Sequence, residues 1–144
     1  MGRRHNLYLL DSSIPGDLKE DFPRGAATTS TECGLKNDAD DMDVIGLAFE
    51  RKALLVTADR EFAHKCRTYQ DRRQRCMFGL LILPQGIEVQ RRLLAELSGG
   101  RKKLLHRQYD RQVNWMDVHD DNLAVVVHMN GNPAVTDLCN CPWE

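Results

Sequence analysis

Three aspartates stand at the edges of apolar segments in this chain of 144 residues. Asp11 ends the run LYLLD, Asp41 begins DMDVIGLA, and Asp59 ends LLVTAD. The runs before Asp11 and Asp59 are short and apolar on both faces, as parallel strands are when helices cover both sides of a sheet. Ligands in such sheets collect beyond the carboxyl ends of the strands, and crowded carboxylates repel unless a cation lies between them. The pattern therefore predicts a divalent metal site.

Helical spacing selects Asp41 within the acidic segment DADDMD. The apolar residues three, four and seven positions after it share its helix face, so Asp41 should point toward the sheet. Asp38 or Asp40 fits a helix cap, and Asp43 falls on the more exposed side. The plainer interpretation of Asp59 is also a cap, for the helix that follows it.

The elements that must position these acids alternate between strand and helix. Strands are predicted at residues 7–11, weakly at 26–31, and at 54–57 and 77–83; helices are predicted at 14–22, 37–51, 59–69 and 88–97, with a charged loop at 70–75. This order predicts an α/β fold of three layers, α/β/α, with a mainly parallel central sheet.

The last third of the chain has a different pattern. A basic stretch at 101–111 is expected to be helical, and residues 113–118 and 123–129 are expected to form an antiparallel β-hairpin. Asn130-Gly131 is a strong turn signal before a last short strand. We therefore expect a single domain over residues 1–144, with its core at 7–97 and a C-terminal hairpin region at about 113–138.

Charge is unevenly distributed although the net charge is −1. Residues 51–75 carry eight bases against three acids, and residues 91–111 carry seven against two. Basic surface beside an acidic metal pocket suits an enzyme that acts on a phosphodiester chain. Solvated helix faces are an equally open interpretation of these charges.

Composition excludes several other classes. No apolar run approaches the roughly 20 residues of a membrane span, and the start of the chain lacks the apolar region of a secretory signal, so we expect a cytoplasmic protein without membrane contact. The five cysteines are scattered, which favours reduced thiols. Cys139 and Cys141 lack a second cysteine pair at zinc-finger spacing, and the histidines lack HExxH spacing, so neither set joins the candidate site. Carboxylate oxygens instead suit Mg²⁺ or Mn²⁺.

These residues resemble the PIN domain, and most closely the short PIN-like proteins. The resemblance spans residues 7–83 in order, and its most specific part is LVTADREF, from Leu55 to Phe62. Its other parts are Asp11-Ser12-Ser13-Ile14-Pro15, Gly34-Leu35, Asp41 to Ala48, and Gly79 to Leu83. Two features depart from the family pattern. Ser12 stands where short relatives often carry an acid, and Glu32 is the nearest match to the early-helix Glu of larger nucleases.

The resemblance implies a metal-dependent endoribonuclease, as in the toxin half of bacterial toxin-antitoxin pairs. It implies that Asp11, Asp41 and Asp59 bind Mg²⁺ or Mn²⁺, that Glu61 is a further acid of the active site, and that Ser13 and Thr57 orient the carboxylates. We also expect single-stranded RNA as substrate, and an antitoxin protein and a second copy of the chain stay open as partners.

Two other functions stay open at this point. The first is a PIN-like module that binds RNA or a protein without cleaving, which the serine at position 12 motivates. The second is a phosphoacceptor signalling domain, which also places acids at strand ends. That class usually has a lysine after its last parallel strand, whereas MFGLLIL is followed by Pro84-Gln85.

Overall fold

The computed structural model describes residues 8–22, 26–36, 39–73, 79–99, 113–119, 123–128 and 133–137. The strands within these residues are β1 Tyr8–Leu10, β2 Ala27–Thr29, β3 Leu54–Thr57, β4 Leu80–Ile82, β5 Val113–Val118, β6 Leu123–His128 and β7 Pro133–Asp137. The α-helices are α1 Asp41–Arg51, α2 Arg60–Arg73 and α3 Ile87–Gly99, and a 3-10 helix covers Gly16–Asp21.

The strands form one sheet in the order β2-β1-β3-β4-β5-β6-β7. The first five are parallel to one another. Strands β6 and β7 each pair antiparallel to the strand before them. The fold is therefore mixed α/β, with a five-stranded parallel sheet at its centre. Strand β5 also has a pairing that its sequence did not indicate, because it lies parallel to β4 as well as antiparallel to β6.

Two hydrophobic clusters lie on opposite faces of the sheet. Alternate residues of β1, β3 and β4 enter different clusters, as the pleat requires; Leu10 belongs to one and Leu9 to the other. The first cluster includes buried residues of the 3-10 helix and α3, namely Leu18, Leu93, Leu94 and Leu97. The second includes buried residues of α1 and α2, namely Val44, Ile45, Ala48, Phe62 and Cys66. Helices thus cover both faces of the parallel part of the sheet.

Several boundaries differ from those predicted. The helix predicted at 14–22 is a 3-10 helix that begins after Pro15, and α1 begins at Asp41 rather than at residue 37. Helix α2 continues through residues 70–73, which were predicted as loop, because arginine and glutamine are good helix formers. The predicted helix at 101–111, the turn at Asn130-Gly131, and Cys139 and Cys141 lie outside the described residues. No helix in the described ranges is both long and apolar enough to cross a membrane.

Candidate active site

Asp11, Thr57 and Asp117 occupy one row across the carboxyl edge of the parallel sheet. Leu10 pairs with Val56, so Asp11 is level with Thr57 on the neighbouring strand. Thr57 pairs with a residue of β4 that in turn pairs with Asp117. Residues in one row of a sheet share a face, and for this row it is the face covered by α1 and α2. The fold therefore directs all three side chains to the same side of the same edge.

The Asp11 carboxylate is buried and held by hydroxyl groups. It is only 8% exposed. Its Oδ1 atom accepts hydrogen bonds from the Ser13 hydroxyl at 2.5 Å and from the Ser13 backbone N–H at 2.9 Å. Its Oδ2 atom accepts a hydrogen bond from the Thr57 hydroxyl at 2.6 Å. The Asp-x-Ser spacing produces the first two contacts, because an aspartate side chain readily accepts a bond from the backbone two residues later. Its orientation is thus fixed from both sides.

Burial raises the pKa of the Asp11 carboxyl above its ordinary value. The hydrogen bonds from Ser13 and Thr57 lower the pKa, and the negative charge of Asp59 raises it again. Burial is the largest of these effects. A carboxyl group with a perturbed pKa at the ligand-binding edge of a sheet is a candidate for a functional group.

Asp59 caps helix α2, and its negative charge acts on the Asp11 carboxyl. Its Oδ1 atom accepts hydrogen bonds from the backbone N–H groups of Glu61 and Phe62, at 3.0 and 3.3 Å. Its own backbone N–H donates to the Thr57 hydroxyl, which in turn donates to Asp11. Thr57 therefore links the two aspartates. Both capping bonds go to Oδ1, and Asp59 is exposed, so the cap leaves the Oδ2 atom for another partner. We call Asp11, Ser13, Thr57 and Asp59 the Asp11 cluster.

Asp41 belongs to a second group, which connects helices α1 and α2. Its Oδ2 atom accepts a hydrogen bond from the Lys65 ammonium group at 2.9 Å. The bond and the charge of Asp41 raise the pKa of Lys65, and the charges of Asp40 and Glu61 raise it further. The Asp41 side chain is 39% exposed, and Asp43 lies on the exposed face of α1. We call Asp40, Asp41, Glu61 and Lys65 the Lys65 cluster.

The structure thus divides the predicted site residues into two sets. Asp11, Ser13, Thr57 and Asp59 are brought together, whereas Asp41 and Glu61 surround Lys65. Within the described ranges, no three His, Cys, Asp or Glu side chains are placed so that they could hold one metal ion. The donor chemistry of the Asp11 cluster nevertheless fits Mg²⁺ or Mn²⁺, since these ions keep several waters and bind through one or two carboxylates. The Oδ2 atom of Asp11 keeps a lone pair beyond its bond from Thr57.

Arg60 and Asp117 form an ion pair at the same edge that the sequence did not reveal. The Arg60 Nη1 atom donates to Oδ1 of Asp117, and the His119 ring lies 3.8 Å from the same oxygen. A signal for Asp117 was present, because VNWMDV places an acid near the end of an apolar strand just as LYLLD does. Arg60 also lines a pocket of about 410 Å³, together with Glu61, His64 and Lys65.

Glu32 lies apart from both clusters. It accepts a hydrogen bond from Lys19 at 2.5 Å and further bonds from Thr28 and the Thr29 backbone. The bond from Lys19 is the main reason why the pKa of Glu32 is lowered to about 2. Its contacts connect the 3-10 helix with the segment after β2, so Glu32 has a structural role. Cys33 is a free thiol, and Cys66 is buried in the second hydrophobic cluster.

Comparison with protein-family models, with curated proteins and with solved structures finds no match to this chain.

Proposed function

We propose that this protein is a metal-dependent endoribonuclease with a PIN-like fold that hydrolyses the phosphodiester bonds of single-stranded RNA. The observation that carries the proposal is the buried Asp11 carboxylate, fixed by Ser13 and Thr57 and adjacent to Asp59 at the carboxyl edge of a parallel sheet. The order of motifs from LYLLD to GLLIL supports the PIN-like part, because these motifs follow one another along a mixed α/β fold with a parallel central sheet.

Asp11 and Asp59 are the residues that would hold Mg²⁺ or Mn²⁺. A bound divalent cation makes a coordinated water more acidic and offsets charge on the departing oxygen during phosphodiester hydrolysis. Ser13 and Thr57 keep the Asp11 carboxylate in one orientation. The bond from Thr57 uses one lone pair of Oδ2, and the second lone pair can bind a cation. The Asp59 cap keeps that carboxylate at the first turn of α2, close enough for its charge to act on Asp11. Two carboxylates in fixed positions give a cation a defined place in the site.

The proposed RNA substrate is supported by the basic side chains near the site. Arg60, His64 and Lys65 lie on the first two turns of α2 and line one pocket. Helix α2 also contains Arg67, Arg72 and Arg73. Phosphate contacts from such groups hold a nucleic acid strand without reading its bases. An antitoxin protein and a second copy of the chain stay predictions from the resemblance, and the proposed chemistry does not require them.

A cleavage assay on a labelled single-stranded RNA, with Mn²⁺, Mg²⁺ or EDTA, tests the proposal. Wild-type protein should cleave with either metal and not with EDTA. Asp11→Asn should reduce cleavage by at least about a hundredfold, because it removes a charge on which the cation depends. Asp43→Asn removes the same charge from an exposed position on α1 and should cleave like wild type. If wild type and Asp11→Asn cleave equally, the activity is contamination and the proposal falls.

A second candidate function is an RNA-binding module of the same fold that does not cleave. The ion pair between Asp41 and Lys65 favours it, because a third predicted metal ligand is already bound to a cation of the chain. This alternative predicts salt-dependent RNA binding by the wild type with no metal-dependent turnover. The same assay, combined with a binding measurement, separates the two candidates.

A further inference from the structure

Arg60 connects the start of α2 with β5, the last strand of the parallel part of the sheet. It follows Asp59 directly, at the first position of α2. Its guanidinium group reaches Asp117 on β5, and β4 lies between β3 and β5, so the side chain extends over the end of β4. The ion pair therefore places a fixed cation along the edge where Asp11 and Asp59 lie. Nothing in the proposed metal chemistry assigns a role to this cation.

The guanidinium group keeps hydrogen-bonding capacity for a ligand. Arginine has five N–H donors in a planar fork, and the contact with Asp117 involves Nη1. The Arg60 side chain is 48% exposed, whereas the Asp117 side chain is only 20% exposed. The acid is thus the anchored partner and the arginine is the accessible one. A planar cation held on one side by a carboxylate can present its other donors to phosphate oxygens.

We propose that Arg60 binds a phosphate of the RNA next to the scissile phosphodiester, and that Asp117 is a positioning residue that holds Arg60 in place. This inference rests on the proposed function and deepens it by assigning the group that recognises the substrate backbone. The pocket lined by Arg60, Glu61, His64 and Lys65 gives the strand a place to continue along α2. The alternative is an ion pair that only fastens α2 to β5.

The direction in which Asp117→Asn changes RNA affinity distinguishes a positioning role of Asp117 from a purely electrostatic one. Replacing Asp117 by Asn removes a negative charge near an anionic ligand, so a purely electrostatic contribution would tighten RNA binding. If Asp117 positions Arg60, the same change must weaken binding, because the guanidinium group loses its anchor. With Arg60 replaced by Gln, Asp117 has nothing to position, and the weakening should disappear.

The test uses fluorescence anisotropy in EDTA to measure the Kd of a short labelled oligouridine, and a cleavage assay with Mn²⁺ to measure KM and kcat. The variants are Arg60→Gln, Arg60→Lys, Asp117→Asn and the double variant Arg60→Gln/Asp117→Asn. Arg60→Gln should raise Kd about tenfold and flatten the salt slope by about one. Arg60→Lys should recover part of the binding, since it restores the charge without the fork. Asp117→Asn should raise Kd about threefold, through KM rather than kcat, and add nothing in the double variant.

Arg91 and Asp21 provide the matched control, since they form an ion pair between α3 and the 3-10 helix on the opposite face of the sheet. Arg91→Gln and Asp21→Asn should leave Kd within twofold of wild type. An unchanged Kd in Arg60→Gln, or tighter binding by Asp117→Asn, overturns the inference even if wild type cleaves RNA. Wild type that binds RNA with the expected variant pattern but never cleaves supports the role of Arg60 and overturns the nuclease proposal alone.

Discussion

The Asp11 carboxylate is buried among hydroxyl groups, whereas the Asp41 carboxylate is half-exposed and bonded to an ammonium group. Hydroxyl groups orient a carboxylate without neutralising it, so the negative charges of Asp11 and Asp59 remain uncompensated within their cluster. The Lys65 ammonium group supplies the opposite charge to Asp41 directly. Two acids predicted for one site therefore differ in their charge balance. Asp41 is paired with a positive charge of the chain, whereas Asp11 is bonded only to neutral groups of its cluster.

The largest expected effect follows from removing one hydroxyl group of the Asp11 cluster. Thr57→Val keeps the shape of a fully buried residue but removes the donor to Asp11 and the acceptor for the Asp59 backbone. It should lower the free energy of unfolding by about 2 kcal/mol, the size expected when buried polar groups lose their partner. Thr68→Val on the exposed face of α2 is the matched control and should change little. Equal urea denaturation midpoints for the two variants would show that hydroxyl groups do not fix Asp11.

The Lys65 cluster can be tested through metal affinity. Lys65→Met should release Asp41 from its ion pair and strengthen Mn²⁺ binding roughly tenfold, through the freed carboxylate and the loss of a nearby positive charge. In the Asp41→Asn background the same substitution should strengthen binding less. Titration of the four proteins of this cycle with Mn²⁺ separates the two contributions. If the gain is equal with and without Asp41, that residue does not join the metal site and Lys65 acts only through its charge.

Removing the Asp11 charge should stabilise the fold at neutral pH. Because burial raises the pKa of Asp11, the native state binds its proton more tightly than the unfolded state does, and the resulting stability is lost as pH rises through the folded pKa. Asp11→Asn should therefore raise the free energy of unfolding at pH 7. The gain should shrink as pH falls toward 4. A variant less stable than wild type at pH 7 would contradict this account.

The smallest effect on stability is expected from replacing Asp41. Asp41→Asn breaks an ion pair between half-exposed side chains, and such pairs contribute little to stability in water. Its melting temperature should differ from that of wild type by less than about 2 °C. Differential scanning calorimetry of Asp41→Asn and Asp11→Asn at the same pH tests the contrast directly. A large loss for Asp41→Asn would mean that the Lys65 cluster supports the fold.

The contacts within the Asp11 cluster were largely predictable from sequence, and those of the Lys65 cluster were not. Asp11 and Ser13 are two residues apart, and LLVTAD places Thr57 and Asp59 at the end of the neighbouring strand, so local spacing and sheet geometry bring these groups close. The bond between Asp41 and Lys65 joins residues 24 positions apart on two helices. Its formation depends on how α1 and α2 pack against each other, which no local spacing encodes.

The position of Asp117 depends on a strand pairing that the sequence did not specify. Residues 113–118 carry the alternation of a hairpin strand, which predicts antiparallel pairing with β6. Nothing in that alternation indicates that the other edge of the strand pairs in parallel with β4 in a register that brings Asp117 level with Ile82. The partner of Arg60 was therefore not predictable, although Arg60 itself lies within the most specific motif of the chain, LVTADREF.

Isothermal titration with Mn²⁺ shows whether Asp11 and Asp59 together hold a divalent cation. Wild-type protein should bind Mn²⁺, and the double variant Asp11→Asn/Asp59→Asn should not. Asparagine is also a good helix cap, so α2 should be retained, which circular dichroism can verify. The control Asp17→Asn/Asp43→Asn removes the same charge from exposed positions and should bind like wild type. Undiminished Mn²⁺ binding by the Asp11→Asn/Asp59→Asn protein would contradict the account.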